Sequence, residues 1–149
     1  MTQQNASCVD DGFERQFFEY VLDASVGGNQ TLQNTLQILS DADFEWWWNK
    51  AYRTSGLLKL LMKEQATGRD FIGTSSPTQG STTFNGMFID LWAGLATNSA
   101  AFPLAVPYIM PATRAYLFTF TDSSGSTNTV ELVFSGFKLW PRQGCGPNC

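Results

Sequence analysis

The 149-residue chain contains no histidine. That removes the side chain most used near neutral pH as general base and zinc ligand. A nucleophilic triad in its common form is excluded with it. Charge is scarce as well: Asp, Glu, Lys and Arg make up 15% of residues, against about 25% in average proteins. The surface must therefore be built largely from Ser, Thr, Asn, Gln and Gly. Cysteine is confined to Cys8, Cys145 and Cys149, all near the two ends. "CGPNC" spaces two of them by three residues, which is poor for zinc without further ligands. An odd count leaves one thiol free or bridging to a second chain. Exposed free thiols are the simpler reading in a reducing cytosol; interchain bridges formed after release are the alternative. No run approaches the ~18 apolar residues of a membrane span. The start, "MTQQNASCVDDGFERQF", lacks the basic and apolar regions of a signal peptide. The expectation is synthesis in a cytoplasm, with no membrane partner. P-loop and dinucleotide fingerprints are missing, so no cofactor is expected.

What is present is an aromatic, apolar chain. Hydrophobic residues reach 43%, with twelve Phe, five Trp and four Tyr, enough for one domain with a substantial core. The net charge is −4. Residues 1–45 hold eight of the acids and a single base, whereas 46–149 are mildly basic. No clustered basic face results, which argues against nucleic-acid binding. The asymmetry suits head-to-tail subunit contacts, although a solvated acidic face explains it more simply.

The dominant period is two, interrupted by turn clusters, which predicts strands. In "FERQFFEYVLDASV", Phe18, Tyr20 and Leu22 alternate with Phe17, Glu19 and Val21. In "QTLQNTLQILS", Leu32, Leu36 and Ile38 alternate with Gln33, Thr35 and Gln37. "LLKLLMKEQ", Leu57 to Gln65, fits a helix or a strand; the turn signals on both sides favour strand. "AFPLAVPYIMPA" spaces Pro103, Pro107 and Pro111 by four, which excludes a central strand and predicts an extended, edge-following connection. "TRAYLFTFTDSSGSTNTVELVFSGFKLW" is expected to form a β-hairpin. Tyr116, Phe118 and Phe120 lead into it, Val130, Leu132 and Phe134 lead out, and Gly136 marks a bulge. Seven or eight strands with this spacing predict an all-β antiparallel β-sandwich, best fitted by a jelly roll. Its bounds are 13–140, between an N-terminal arm, 1–12, and a Cys/Gly/Pro tail, 141–149.

"FEWWWNKAYRTSG" raises the sharpest question, because it places three tryptophans in a row. In strand register Phe44, Trp46, Trp48 and Tyr52 share one face with Lys50. Glu45, Trp47, Asn49, Ala51 and Arg53 share the other. Trp46 and Trp48 are then expected in the core, with Trp47 among polar neighbours on the outer face. Trp47 and Arg53, with Pro103, Pro107, Tyr108 and Pro111 of the proline-rich stretch, form the candidate partner interface, since aromatic residues dominate binding hot spots. Exposed indoles also suit stacking on sugar rings, so a glycan ligand is an alternative. Asp41, Asp43 and Glu45 could share a strand face and hold calcium, but no Gly-framed loop accompanies them, and turn and strand-edge roles are simpler. A glycosidase carboxylate pair is not signalled by any motif. No catalytic residue and no metal site is assigned.

"FPLAVPYIMPATRAYLFTFTDSSGSTNTVELVFSGFKLW", together with "FEWWWNKAYRTSG" and "ATGRDF", is similar to small jelly-roll structural proteins of tailed bacteriophages. The likeness lies in the order of elements over residues 30–140. An aromatic strand comes first, then a hairpin ending near a "TGR" turn, a proline-rich crossover and a closing hairpin. The resemblance implies a non-enzymatic virion component. Its first form is a capsid decoration or cement protein that forms a homo-oligomer on the major capsid protein. Its alternatives are a collar or fibre-anchoring subunit, or a glycan-binding module of the tail.

Overall fold

A computed structural model describes residues 12–72, 86–93 and 101–142. Within them, nine strands and one short helix build two antiparallel sheets packed face to face. The strands are β1 (Phe13–Val26), β2 (Thr31–Gln37), β3 (Asp43–Arg53), β4 (Leu58–Glu64), β5 (Asp70–Ile72), β6 (Met87–Phe88), β7 (Phe102–Met110), β8 (Ala115–Asp122) and β9 (Asn128–Pro141). Helix α1 (Ile89–Trp92) follows β6 directly. The first sheet runs β1-β9-β3-β7, and the second β2-β8-β4-β5, with β6 also paired to β4. The antiparallel sandwich expected from the alternation is what forms.

Alternation sets the inner faces. Tyr20, Leu22 and Ala24 of β1, Val130, Leu132 and Phe134 of β9, and Tyr116, Phe118 and Phe120 of β8 are all buried. The ambiguous segment is strand: Leu58, Leu60 and Met62 are fully buried, while Lys59 and Lys63 alternate with them. Rings meet edge-on in the core: Phe134 meets Trp46 of the neighbouring strand at 5.2 Å and Phe118 of the opposite sheet at 5.5 Å. Such contacts add about 0.5–1.5 kcal/mol each beyond the area they bury. The proline-rich stretch forms β7, a nine-residue strand at the edge of its sheet. An edge is where a missing N–H costs no ladder bond.

Two expectations are corrected. Residues 115–140 are not a hairpin, since β8 lies in one sheet and β9 in the other. The connection between them is a crossover held by buried polar groups. Asp122 accepts from the Asn29 amide at 3.0 Å and from the Asn128 side chain at 3.1 Å. The Asn128 side chain in turn binds the Ser55 carbonyl and the amides of Thr54 and Ser55. Three loops are thus fastened at one end of the sandwich. A tight turn could pair β8 with β9 only by giving up this network and the pairing of β9 with β1 over its full length. Nor is the bulge in β9. Gly136 pairs regularly with Phe18, and the irregularity lies opposite it in β3.

Candidate functional site

The triple tryptophan is where β3 breaks its rhythm. Trp46 pairs with Gly136 and Trp48 with Ser135, so Trp47 is one residue too many for β9. A bulge of this kind reverses which face each later side chain meets. Before it, Phe44 and Trp46 enter the core. After it, Asn49 lies opposite Phe134 and Ala51 opposite Leu132, both core residues of β9. Trp48, Lys50 and Tyr52 turn outward. The expected faces are therefore corrected beyond Trp47. Trp48 leaves the core to meet Phe137 at 6.0 Å and stack on Trp47 at 5.6 Å. Asn49 and Arg53, expected at the solvent, turn inward. Trp47 itself is half-buried, and its Nε1 meets no hydrogen-bond acceptor among the described residues.

The neighbouring edge responds. Between its pairings with Trp46 and Trp48, β7 advances from Tyr108 to Pro103, five steps against two in β3. Leu104 to Pro107 therefore arch away from the sheet. Proline at both ends suits that departure, because neither position needs an amide donor. On the same side of the sandwich lies the edge of the second sheet, and the two edges meet where Phe71 of β5 faces Tyr108 at 4.8 Å.

Behind the arch is an open pocket of about 390 Å³, lined by Trp46, Phe71, Trp92, Leu104 and Tyr108, with Asn49 among its polar neighbours. Arg69 lies at its rim, 5.2 Å above the Phe71 ring. Asn49 is 2% exposed. Its Nδ2 donates to the Trp92 carbonyl at 3.2 Å, and its Oδ1 has no donor among the described residues. Trp92 is brought there by α1, which an ion pair holds: Arg53 Nε and Nη2 each donate to Asp90 at 2.8 Å. The hydrogen bonds from Arg53 hold the Asp90 carboxyl below the usual carboxylate range, and Asp90 raises Arg53 in turn. A methyl group on Gly56 would meet the Asp90 carboxylate at 2.6 Å, so an alanine there would push Asp90 out of its place on Arg53.

The expected interface residues are thus only partly brought together. Trp47, Pro103, Pro107 and Tyr108 lie around the arch. Arg53 is engaged with Asp90, and Pro111 lies at the far end of β7 beside Gln65 and Arg114. Cys8, Cys145 and Cys149 fall outside the described residues. Asp41, Asp43 and Glu45 do not converge: Asp41 pairs with Lys138, Asp43 accepts from the Ala112 amide, and Glu45 pairs with Arg15. Among the described residues no group of three His, Cys, Asp or Glu side chains is placed to hold a metal ion. Sequence reasoning missed Asn49, Phe71, Arg69 and Trp92. Asn49 carried a signal only in retrospect, as the polar residue directly after an aromatic run too long for one face. No protein-family model, curated protein or solved structure matches the chain.

Proposed function

We propose that this chain is a non-enzymatic structural protein of a bacteriophage virion, a decoration or cement protein that oligomerises and stabilises the assembled head. The observation that carries this reading is the outer face of the β1-β9-β3 layer. A sheet face meeting water is normally polar. Here Phe17 and Tyr52 are 57% and 62% exposed, Val21 is exposed as well, and half-buried Trp48, Val133 and Phe137 lie between them. Among them the outer face carries the pair of Glu19 and Lys50 at 2.7 Å. An apolar face set around a charge pair suits coverage by a neighbouring subunit. Each large side chain covered in full would contribute on the order of 1.5–3 kcal/mol.

Further support comes from the pairing pattern. β1 pairs with β9, β2 with β8, β3 with β7 and β4 with β5. That nesting is what a long hairpin gives when it is wound into two sheets, the jelly-roll arrangement common in capsid domains. Glu19, Asp90 and Asp122 are engaged structurally, with Lys50, Arg53 and the Asn29 amide respectively, which fits a chain without catalysis. Binding only to assembled shells would stabilise them by mass action. A collar or fibre-anchoring ring would use the same face. The stacked Trp47 and Trp48 favour a glycan-binding reading as the alternative. The deciding experiment is mass spectrometry of purified, dissociated phage particles. The chain is expected in stoichiometric amount, and its absence from particles would overturn the proposal.

A further inference from the structure

A strand on the rim of a sheet offers its outer amides and carbonyls to any second strand, and folded chains normally blunt such rims. Among the described residues, three of the four rims are blunted. β7 carries Pro103 and Pro107 and arches away from its sheet, β2 has seven residues, and β5 has three. The fourth rim is β1. It runs for fourteen residues without proline, lysine or glycine, and pairs with β9 at every position without a bulge. Its end beside β2 is fastened: the Asn34 side chain donates to the Asp23 carbonyl at 2.8 Å, and the Leu39 amide to the Tyr20 hydroxyl at 3.1 Å. At the opposite end, Phe13 to Phe17 are exposed on both faces of the sheet.

The outward side chains of β1 read Phe13, Arg15, Phe17, Glu19, Val21. About Phe17 this row complements its own reverse. A two-fold axis normal to the sheet keeps the outer faces of two copies on one side, so outward residues stand opposite outward residues. Centred on Phe17, it sets Phe17 against Phe17, Arg15 against Glu19 and Phe13 against Val21. Centred on Arg15 or Glu19, it opposes like charges, which destabilises a pairing. Centred on Gln16 or Phe18, it sets a charge against a phenylalanine. Arg15 already pairs with Glu45 at 3.0 Å, and Glu19 with Lys50 at 2.7 Å. In the Phe17 register these pairs join end to end, as Glu45, Arg15, then Glu19 and Lys50 of the second copy, with alternating sign throughout.

We propose that two copies of this chain join through β1, antiparallel and centred on Phe17, into one continuous eight-stranded sheet. Main-chain hydrogen bonds along the rim supply affinity, and the charge row sets register. The proposal rests on the oligomeric part of the proposed function and not on residence in a virion.

Sedimentation equilibrium of the full chain under reducing conditions is expected to show a dimer. F17K sets two ammonium groups against each other on the axis. It should raise the dissociation constant at least about thirtyfold, the loss of one interfacial hot spot. Y52K, on the same outer face but in β3, should leave the dimer unchanged. A second measurement reads the register directly. In a C8S/C145S/C149S background, F17C should form an interchain disulfide on mild oxidation, since opposed residues of an antiparallel pair stand about 4.5–5.5 Å apart at Cα. V21C should not, because residue 21 faces Phe13 and lies about 27 Å from its counterpart. A chain still monomeric at about 1 mM, a dimer lost in Y52K, or V21C crosslinking as readily as F17C would each overturn the edge pairing. Absence of the chain from phage particles would count against the virion reading alone.

Discussion

Gly136 illustrates how one residue type can decide a strand's path. It is buried, it pairs with Phe18 on one side and Trp46 on the other, and a methyl group there would run into the Glu45 carbonyl. That carbonyl belongs to backbone, which cannot rotate aside as a side chain can. The glycine is needed because the β3 backbone crowds inward immediately before its bulge; no left-handed conformation is involved. Replacing Gly136 by Ala is expected to cost about 3 kcal/mol, the upper range for overpacking a well-filled interior. Urea denaturation is the measure: the midpoint should fall with the slope unchanged. A variant as stable as the unaltered chain would mean that β3 can withdraw from β9 without loss. Arg53 is a second residue whose position decides more than its type suggests. Placed inward by the bulge, it becomes the anchor for α1 through Asp90, and α1 in turn brings Trp92 to the pocket.

At the level of elements, β3 behaves as two half-strands of opposite phase joined at Trp47. Removing one tryptophan from the run of three should let Gly136 and Ser135 face consecutive residues, as in a regular ladder. Phe44, Trp46, Asn49 and Ala51 would keep their present faces. The shortened chain is therefore expected to fold in the same register, losing at most about 2 kcal/mol through the altered β7 arch. Amide exchange should still protect Leu132 and Val133, which pair with Ala51 and Lys50 across the ladder. Loss of that protection would show that the bulge fixes the register instead of interrupting it. The phase reversal also explains what could be read in advance. The inner faces of β1, β4, β8 and β9 followed from alternation, because one period ran unbroken through each. Phe44 and Trp46 were placed correctly for the same reason, and everything after Trp47 was inverted. Nothing in "WWWNKAYR" marks which tryptophan is unpaired; that depends on Gly136, ninety residues away. The β8–β9 connection was misread for a related reason. "TDSSGSTN" satisfies a hairpin loop locally, and alternation gives a strand its faces but not its neighbours. Asp122 and Asn128, polar yet 3% and 0% exposed, serve the crossover through partners near residues 29 and 55, which no local window contains. The pocket was illegible on the same grounds, since its lining comes from β3, β5, α1 and β7.

Across the whole molecule, a few carboxylates join parts of the chain that are distant in sequence. Glu19 of β1 is held below the usual carboxylate range by its hydrogen bonds from Lys50 of β3 and Ser135 of β9. Asp41 is lowered by Lys138, and Asp90 by Arg53. For Asp122 burial alone would push the carboxyl up, but the Asn29 amide, the Asn128 side chain and Ser124 outweigh it and bring it down. All four shifts have one sign. The unfolded chain, with carboxyl groups near 3.9–4.3, takes up protons at a higher pH than the folded chain does. Stability therefore rises with pH through that window and is complete above it. On acidification it is lost as the pH falls through the lowered folded values. Nothing offsets this from the basic side, because the chain has no histidine to gain charge between pH 5 and 7. The expected profile is a melting temperature constant within about two degrees from pH 5.5 to 7, followed by a steep fall below about pH 4. Calorimetry at fixed ionic strength checks both limbs. Asp122→Asn should flatten the acid limb and lower the plateau, since it removes a buried acceptor with several donors still in place. A plateau that slopes between pH 5.5 and 7, or a melting temperature that rises on acidification, would contradict the assignment of these carboxylates as the groups that hold the two sheets and their loops together.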